Sequence, residues 1–202
     1  MASVYDLKPK FQALLRPLCA KLAACGVTAN QITTAAALLS LIEGGLIAAT
    51  HGATWTLYLL PPVLFIRMAL NALDGMLARE FNQKSKLGAV LNELGDVVSD
   101  AALYLPLAVL PGIPSLLLSL LVALAIITEM TGVVAVQIGA DRRYDGPFGK
   151  SDRAVFFGAL ALAYAARLLP LSFYPPLLLL AALAGAYTIL NRARHALGAA
   201  SS

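Results

Sequence analysis

Long apolar runs, separated by short breaks of polar residues, proline and glycine, dominate the chain. An α-helix needs roughly 20 apolar residues to cross the hydrocarbon core of a bilayer, and six stretches approach that length. The breaks have the composition of tight turns and not of linkers. The pattern therefore predicts an all-α integral membrane protein with one domain over residues 1–202, a six-transmembrane-helix bundle at about 31–194. The predicted spans are 31–50, 55–77, 88–110, 114–138, 154–169 and 174–189.

The segment before the first span has a different pattern. In residues 7–24, apolar side chains recur at helical spacing, while Lys10, Arg16 and Lys21 lie mostly elsewhere on the helical wheel. This arrangement predicts an N-terminal amphipathic juxtamembrane helix that lies on the membrane surface.

Composition and charge agree with a membrane protein. The 202 residues are 59% hydrophobic and only 13% charged, which excludes an ordinary soluble domain. Thirteen of the 15 Lys and Arg residues flank the same ends of the predicted spans, and only Arg67 and Arg167 do not. The positive-inside rule then places both termini in the cytoplasm, with the protein in the inner membrane if it is bacterial. Topology and lipid headgroups account for the basic residues, so we expect no nucleic-acid partner.

Polar residues interrupt the second and third spans near the predicted cytoplasmic side. Asn71 and Asp74 are three residues apart on one helix, and Asn92, Asp96 and Asp100 recur every four residues on the next. Carboxylates within a membrane are costly and indicate a functional site. Oxygen donors without His or Cys suit a hard cation such as Mg²⁺ or Mn²⁺.

Arg67 lies one turn before Asn71, at a depth where a lone cation is unfavourable. We expect it to form a structural ion pair with an acid, and Glu43 and Glu129 are the candidates within other spans.

The polar stretches share a frame with a known family. Residues 71–79 read N-A-L-D-G-M-L-A-R and, eight residues later, residues 88–96 read G-A-V-L-N-E-L-G-D. This resembles the D-x-x-D-G-x-x-A-R and G-x-x-x-D-x-x-x-D motif of the CDP-alcohol phosphotransferase (CDP-alcohol phosphatidyltransferase) family. Residues 28–33 resemble that family's T-P-N-x-x-T entry to the first span, and residues 149–153 are similar to a basic G-K motif of some members. The positions of the main motif that match are Asp74, Gly75, Ala78, Arg79, Gly88 and Asp96.

The resemblance implies a six-helix fold, commonly a homodimer, with a cytoplasm-facing cavity that holds two divalent cations. It implies an enzyme of phospholipid biosynthesis that displaces CMP from a CDP-linked alcohol, often the lipid CDP-diacylglycerol, with the hydroxyl of an acceptor alcohol. Asp96 is then the general base. The implied metal ligands are Asp74, Asp96, Asn71 and Asn92, and the implied nucleotide or substrate contacts are Gly75, Ala78, Arg79, Gly88, Thr33, Lys150 and Arg153.

Two positions depart from the family pattern. Asn71 and Asn92 occupy the first and third aspartate positions, so the motif supplies two carboxylates instead of four. We therefore predict one tightly bound cation, with a second bound only alongside substrate. Glu93 and Asp100 are possible compensating acids, although Glu93 points about 100° away from Asn92 on an ideal helix and would need a local distortion.

Two other classes of function stay open at this point. A catalytically altered relative could bind a CDP-lipid or a partner protein, and a small membrane transporter would also carry charged residues within its spans. The acceptor alcohol is also open, with glycerol phosphate, serine, inositol phosphate and a phospholipid headgroup as candidates.

Overall fold

Seven α-helices and two short 3₁₀ helices make up the part of the chain that the structure describes. The structure is a computed structural model that describes residues 4–200, with side chains from Pro9 onward. No β-strand occurs within residues 4–200, and the predicted all-α class is confirmed. The α-helices are α1 (Val4–Ala24), α2 (Ala29–Ala49), α3 (Thr54–Glu80), α4 (Lys86–Tyr104), α5 (Ser115–Gln137), α6 (Lys150–Ala165) and α7 (Tyr174–Ala200). The 3₁₀ helices are Leu105–Val109 and Leu171–Phe173.

Four segments are long and apolar enough to cross a membrane by length and composition. They are Ala29–Ala49, Thr54–Glu80, Ser115–Gln137 and Leu171–Ala200. The other two predicted spans correspond to α4, which carries several acidic residues, and to α6, which has 16 residues. The chain is thus a multi-pass membrane protein in which α4 and α6 are less clearly membrane-spanning by length and composition than the other four predicted spans.

The helix ends differ from the predicted ones for local reasons. The third predicted span stops being α-helical at Tyr104, because Pro106 has no N–H to donate and a 3₁₀ helix follows. The fifth begins early, at Lys150, where the Gly149 N–H donates to Asp152 Oδ2 over 2.9 Å and caps the helix.

The chain divides into two compact units. The first consists of Met1–Ile42 and Pro62–Ser99, and the second of Glu43–Pro61 and Asp100–Ser202. Helices α2, α3 and α4 each contribute residues to both units.

In the first unit, α1 packs on α3 and on the start of α2. Cys19 is fully buried in a cluster whose other members include Ile32, Met76 and Leu77. Outside this cluster, the Arg16 guanidinium donates two hydrogen bonds of 3.1 Å to the Glu80 carboxylate. The predicted helix over 7–24 is therefore present, although the side chains of residues 7 and 8 lie outside the described ones. The opposite side of α1 exposes Leu14 and Leu18.

In the second unit, close approaches of small and aromatic groups hold the helices together. The rings of Tyr104 and Phe157 stack with centroids 3.9 Å apart. Gly44 lies directly against the carbonyl oxygen of Ala102, so no side chain fits at that position. Such close packing is what stabilises helix pairs in lipid, where the surrounding chains are as apolar as the interface.

Candidate active site

A polar cavity of about 540 Å³ lies in the first unit, between the start of α2, the second half of α3 and the first half of α4. Most of the predicted site residues line it, so the structure brings these side chains together. The predicted residues on its wall are Thr33, Asn71, Asp74, Gly75, Ala78, Arg79, Gly88, Asn92 and Glu93.

The short connection between α3 and α4 shapes this cavity. Because α3 ends at Glu80 and α4 begins at Lys86, the two helices are antiparallel neighbours. Within the loop, Gln83 accepts a hydrogen bond of 2.7 Å from the Ala29 N–H and donates one of 3.3 Å to the Val27 carbonyl. The loop therefore fixes the start of α2 against the other two helices.

Asp74 is the more enclosed of the two motif carboxylates, with an exposed fraction of 4%. The Thr33 hydroxyl donates to Asp74 Oδ2 over 2.8 Å, and the Asn92 amide nitrogen lies 3.5 Å from the same oxygen. Thr33 was predicted to be a substrate contact, and the structure shows that its hydroxyl holds the Asp74 carboxylate in place.

Asp96 is held from two sides. The Asn71 amide donates to Asp96 Oδ1 over 3.1 Å. Arg67, itself buried, donates to the Asp96 carbonyl oxygen over 3.0 Å, and its Nη2 lies 3.7 Å from Asp96 Oδ1. The expectation that Arg67 pairs with Glu43 or Glu129 is thus wrong. The reason is that Arg67 lies one helical turn before Asn71, on the side of α3 that faces α4 at Asp96.

Two glycines allow close contacts at the cavity. A Cβ atom at Gly88 would lie 2.7 Å from Asn30 Oδ1 and 2.9 Å from Ser85 Oγ, so glycine leaves room for these two polar side chains in their observed positions. A Cβ atom at Gly75 would lie 3.2 Å from Arg79 Nη1, which shows that the Arg79 guanidinium folds back over Gly75. The cavity wall therefore carries a cation beside an open stretch of backbone.

Glu93 reaches the cavity without the local distortion that we expected. Helix α4 is continuous from Lys86 to Tyr104, and Glu93 lies on the cavity wall together with Asn92. The cavity is broad enough to be lined by two adjacent residues of one helix. The separation of about 100° between their side chains on an ideal helix therefore does not keep Glu93 away from the cavity.

Four predicted residues are not on the cavity wall. Asp96 lies behind it in the first unit, bonded to Asn71, whereas Asp100, Lys150 and Arg153 belong to the second unit. Arg153 is completely buried there. Its Nη2 lies 3.0 Å from Asp100 Oδ2 and 2.8 Å from Glu129 Oε1. Both Arg153 and Asp100 are therefore engaged in a buried ion cluster, while Lys150 forms the first residue of α6.

The same cluster anchors the loop between α5 and α6. Arg192 Nη1 lies 3.6 Å from Glu129 Oε1 and donates to the Thr128 carbonyl over 2.6 Å. Its Nε donates to the Asp145 carbonyl in the loop over 3.1 Å. Partial burial acts to raise the pKa of the Asp145 carboxyl, but hydrogen bonding with His195 and the nearby Arg143 outweigh it and lower that pKa below its usual value.

Sequence reasoning missed several residues of the cavity. The loop between α3 and α4 contributes residues to the cavity that the motif does not include. The sequence did contain a signal for the loop residues. A five-residue polar loop between two antiparallel helices has to lie at the mouth of any site between them. The cavity residues that were not predicted are Ala29, Asn30, Gln83, Lys84, Ser85 and Ala89.

The oxygen atoms of Asp74, Asp96, Asn71 and Asn92 are the candidate metal ligands at this site. Among the residues whose side chains are described, no three His, Cys, Asp or Glu side chains cluster in a way that could hold a metal ion. Asp74 and Asp96 are instead each bonded to an asparagine amide. Turning an amide by 180° presents its oxygen in place of its N–H groups, and carboxylate and amide oxygens are both ligands for hard cations.

Comparisons with known families, proteins and solved structures show what the chain is similar to. The family model for CDP-alcohol phosphatidyltransferase matches residues 26–190. The chain is 55% identical over 163 residues to the inner membrane protein YnbA of Escherichia coli (strain K12), covering 81% of each chain. Among solved structures, it is similar to the phosphatidylinositol phosphate synthase PgsA1 of Mycobacterium tuberculosis. The complex with manganese and citrate gives a TM-score of 0.72 at 20% identity over 90% of this chain and 88% of that one. The structure with CDP-DAG bound gives 0.71 at 20% identity over 92% of each chain.

The fold and the polar cavity together define a multi-pass membrane enzyme of the transferase class. The chain belongs to the CDP-alcohol phosphatidyltransferase family. Membership confirms the resemblance that the motif indicated and favours a phospholipid-synthesising transferase over a small transporter.

Proposed function

We propose that this protein transfers a phosphatidyl group from CDP-diacylglycerol to an acceptor alcohol and releases CMP. The observation that carries the proposal is that Asp74 and Arg79 line one cavity, and that Asp96 is hydrogen bonded to Asn71 on its wall, in the frame that the family shares. The bound CDP-DAG in the structure of PgsA1, which shares the fold, supports the choice of donor.

The described contacts suggest a role for each residue. Asp96 accepts the proton of the attacking hydroxyl, and Arg67 and Asn71 hold its carboxylate in position. Arg79 supplies positive charge for the phosphates of the donor. Gly75, Ala78 and Gly88 present a wall of small residues to the nucleotide, and Glu93 adds negative charge to that wall. Lys150 stays a prediction as a phosphate ligand, whereas Arg153 and Asp100 stabilise the second unit.

We further propose that one Mg²⁺ or Mn²⁺ ion is held tightly by Asp74 and Asp96, with amide oxygens of Asn71 and Asn92 as additional ligands. Substrate phosphates provide the negative charge that a second ion needs. A bound divalent cation supplies charge neutralisation on the pyrophosphate and on the departing CMP. The manganese in a structure of PgsA1 supports a divalent metal at this kind of site.

For the membrane arrangement, we propose one domain with six crossings, in which α4 and α6 also span the bilayer. The charge distribution along the sequence supports cytoplasmic termini and a cytoplasmic cavity. Helix α1 lies on the membrane surface, supported by the exposed Leu14 and Leu18 beside its packed side. A homodimer is the assembly that the family resemblance implies.

The decisive experiment measures CMP release from CDP-diacylglycerol by the purified protein with Mg²⁺ or Mn²⁺. We expect release that requires an alcohol from a panel of glycerol phosphate, serine, inositol phosphate and phospholipid headgroups. Asp96→Asn should abolish it, while Asp141→Asn, which removes an exposed acid from the loop after α5, should not. CMP release without any acceptor would indicate hydrolysis instead of transfer.

A second candidate function is binding of a CDP-lipid without turnover. The observation that favours it is that both motif carboxylates accept hydrogen bonds from asparagine amides, which occupy oxygens that a cation would use. Saturable binding of CDP-diacylglycerol with no CMP release under any acceptor would support this candidate and refute the first.

A further inference from the structure

A second cavity, of about 390 Å³, lies in the second unit and contains no residue of the transfer motif. It is bounded by the residues that follow α2, by the start of α3 and by the segment between α6 and α7. These are the helix ends that the charge distribution assigns to the non-cytoplasmic side. Its wall combines apolar side chains with polar ones, namely Leu57, Leu169 and Leu171 with Thr54, Arg167 and Tyr174. This volume and mixed lining are typical of small-ligand sites.

Tyr174 offers a hydrogen-bond donor on the wall of this cavity. Only 1% of the residue is exposed, and its hydroxyl has no hydrogen-bond partner among the side chains and backbone that the structure describes. The neighbouring Tyr164, whose ring meets that of Tyr174 edge-on at 5.6 Å, already donates to the Pro111 carbonyl over 2.9 Å. The Tyr174 hydroxyl is therefore available to donate to an acceptor atom of a ligand in the cavity.

Arg167 places a positive charge at the same cavity in an unusual backbone conformation. It ends α6 with φ of 55°, the left-handed region that glycine normally occupies at this position. The Arg167 N–H donates to the Tyr164 carbonyl, and the Leu168 N–H donates to the Ala163 carbonyl. A bulky residue kept in this conformation indicates a constraint other than local stability.

The charge of Arg167 is not explained by topology. It is the one Lys or Arg that the charge distribution assigns to the non-cytoplasmic side, where basic residues are disfavoured. No carboxylate pairs with its guanidinium among the described side chains. The cavity therefore has a cation and a phenol donor and no opposing acid on its wall.

We propose that this cavity binds the phosphodiester group of a glycerophospholipid, with Arg167 as the counter-ion and the Tyr174 hydroxyl as a hydrogen-bond donor. The position at the predicted membrane surface favours a lipid, because Trp55, Leu168 and Phe173 are exposed close to the lining residues in sequence. Tryptophan and other large apolar side chains are typical of this interface. The proposal does not depend on the transfer reaction.

The test compares ligands and variants by thermal unfolding of the delipidated, purified protein. The probes are dioleoylphosphatidylglycerol, dioleoylglycerol, which lacks the phosphate, and inorganic phosphate. Tyr174→Phe and Arg167→Gln are compared with Tyr187→Phe and Arg194→Gln, which make the same changes at exposed positions outside the cavity. We expect phosphatidylglycerol to raise the unfolding temperature of the wild type and to bind about tenfold more weakly to each cavity variant.

The outcomes separate the possible ligands. Equal stabilisation by inorganic phosphate would support the phosphate site and identify a small anion as sufficient. Equal stabilisation by dioleoylglycerol, or equal lipid affinity in all four variants, would overturn the proposal. Tyr174→Phe should unfold at no lower a temperature than the wild type when lipid is absent, because the hydroxyl that it removes makes no hydrogen bond within the described part of the protein. This second measurement distinguishes lost binding from lost folding.

Discussion

The side-chain amide of Asn71 donates a hydrogen bond of 3.1 Å to the carboxylate of Asp96. An aspartate at position 71 would instead bring two carboxylates together, an arrangement that is stable only when a cation or a proton lies between them. This one contact links the number of carboxylates in the motif to the metal requirement of the site.

Asn71→Asp should therefore make folding depend on a divalent cation. In EDTA, we expect the variant to lose on the order of 1–4 kcal/mol of stability through repulsion between residues 71 and 96, and Mg²⁺ or Mn²⁺ should restore it. Thermal unfolding with and without metal measures the effect. Asn82→Asp adds the same charge on an exposed loop and serves as the control. An unfolding temperature of Asn71→Asp that is the same with EDTA and with metal would contradict this prediction.

Arg67 should position Asp96 and not merely stabilise the helix pair. Arg67→Met removes both contacts to Asp96, and we expect the rate of CMP release to fall by roughly tenfold or more, since a displaced base loses reaction geometry. Arg67→Lys keeps the charge and should recover part of kcat. Steady-state kinetics of both variants check this. If Arg67→Met changes KM alone, Arg67 contacts the substrate instead of Asp96.

Two buried glutamates should respond oppositely to the same substitution. Glu129 lies within 4 Å of Arg142, Arg153 and Arg192, so Glu129→Gln should destabilise the protein by about 3–5 kcal/mol. Glu43 is equally buried, and its Oε1 has no hydrogen-bond partner in the described part of the chain. Glu43→Gln removes a costly buried acid and should leave stability unchanged or higher. Thermal unfolding of both variants in the same detergent tests this prediction. Equal losses of stability in Glu129→Gln and Glu43→Gln would contradict it.

A side chain at Gly88 should disturb the cavity wall, unlike one at a glycine elsewhere in a helix. In Gly88→Ala, the new methyl group meets Asn30 Oδ1 and Ser85 Oγ at less than 3 Å, so both side chains have to rotate away and Ser85 loses its hydrogen bond with the Gly88 N–H. We expect CMP release to drop about tenfold or more. At Gly45, a Cβ atom meets nothing within 4 Å, and Gly45→Ala should stabilise its helix by up to about 1 kcal/mol. Equal activities of the two variants would show that close approach at Gly88 is unimportant.

The loop between α5 and α6 should lose an anchor in acid. The pKa of Asp145 is lower in the folded protein than its ordinary value of 3.8. The ionised carboxylate therefore stabilises the folded state fully above that ordinary value, and the contribution disappears as the pH falls through the lower folded value. Asp145→Asn should unfold at a lower temperature than the wild type near neutral pH, and the difference should vanish in strong acid. A difference that stays constant across this range would assign the effect to hydrogen bonding alone.

Much of the site could be predicted from sequence because its residues are close along two adjacent helices. The spacing of Asn71, Asp74, Asn92 and Asp96 places them on facing sides once a short loop makes the helices antiparallel, and the structure confirms that they meet. The partner of Arg67 could not be predicted in this way. Choosing between Asp96, Glu43 and Glu129 requires the rotation of each helix about its axis, which no local pattern specifies.

By itself, the sequence determined the all-α class, the membrane location and the family, because hydropathy and motif spacing are properties of the linear chain. Only the tertiary structure decided that Arg153 and Asp100 form a buried ion cluster, that Glu93 lies on the cavity wall, and that Tyr174 and Arg167 meet at a second cavity. Each of these depends on residues far apart in sequence whose side chains become neighbours only through helix packing. Packing depends on the shapes and the burial of side chains throughout the unit, so no short stretch of the sequence specifies it.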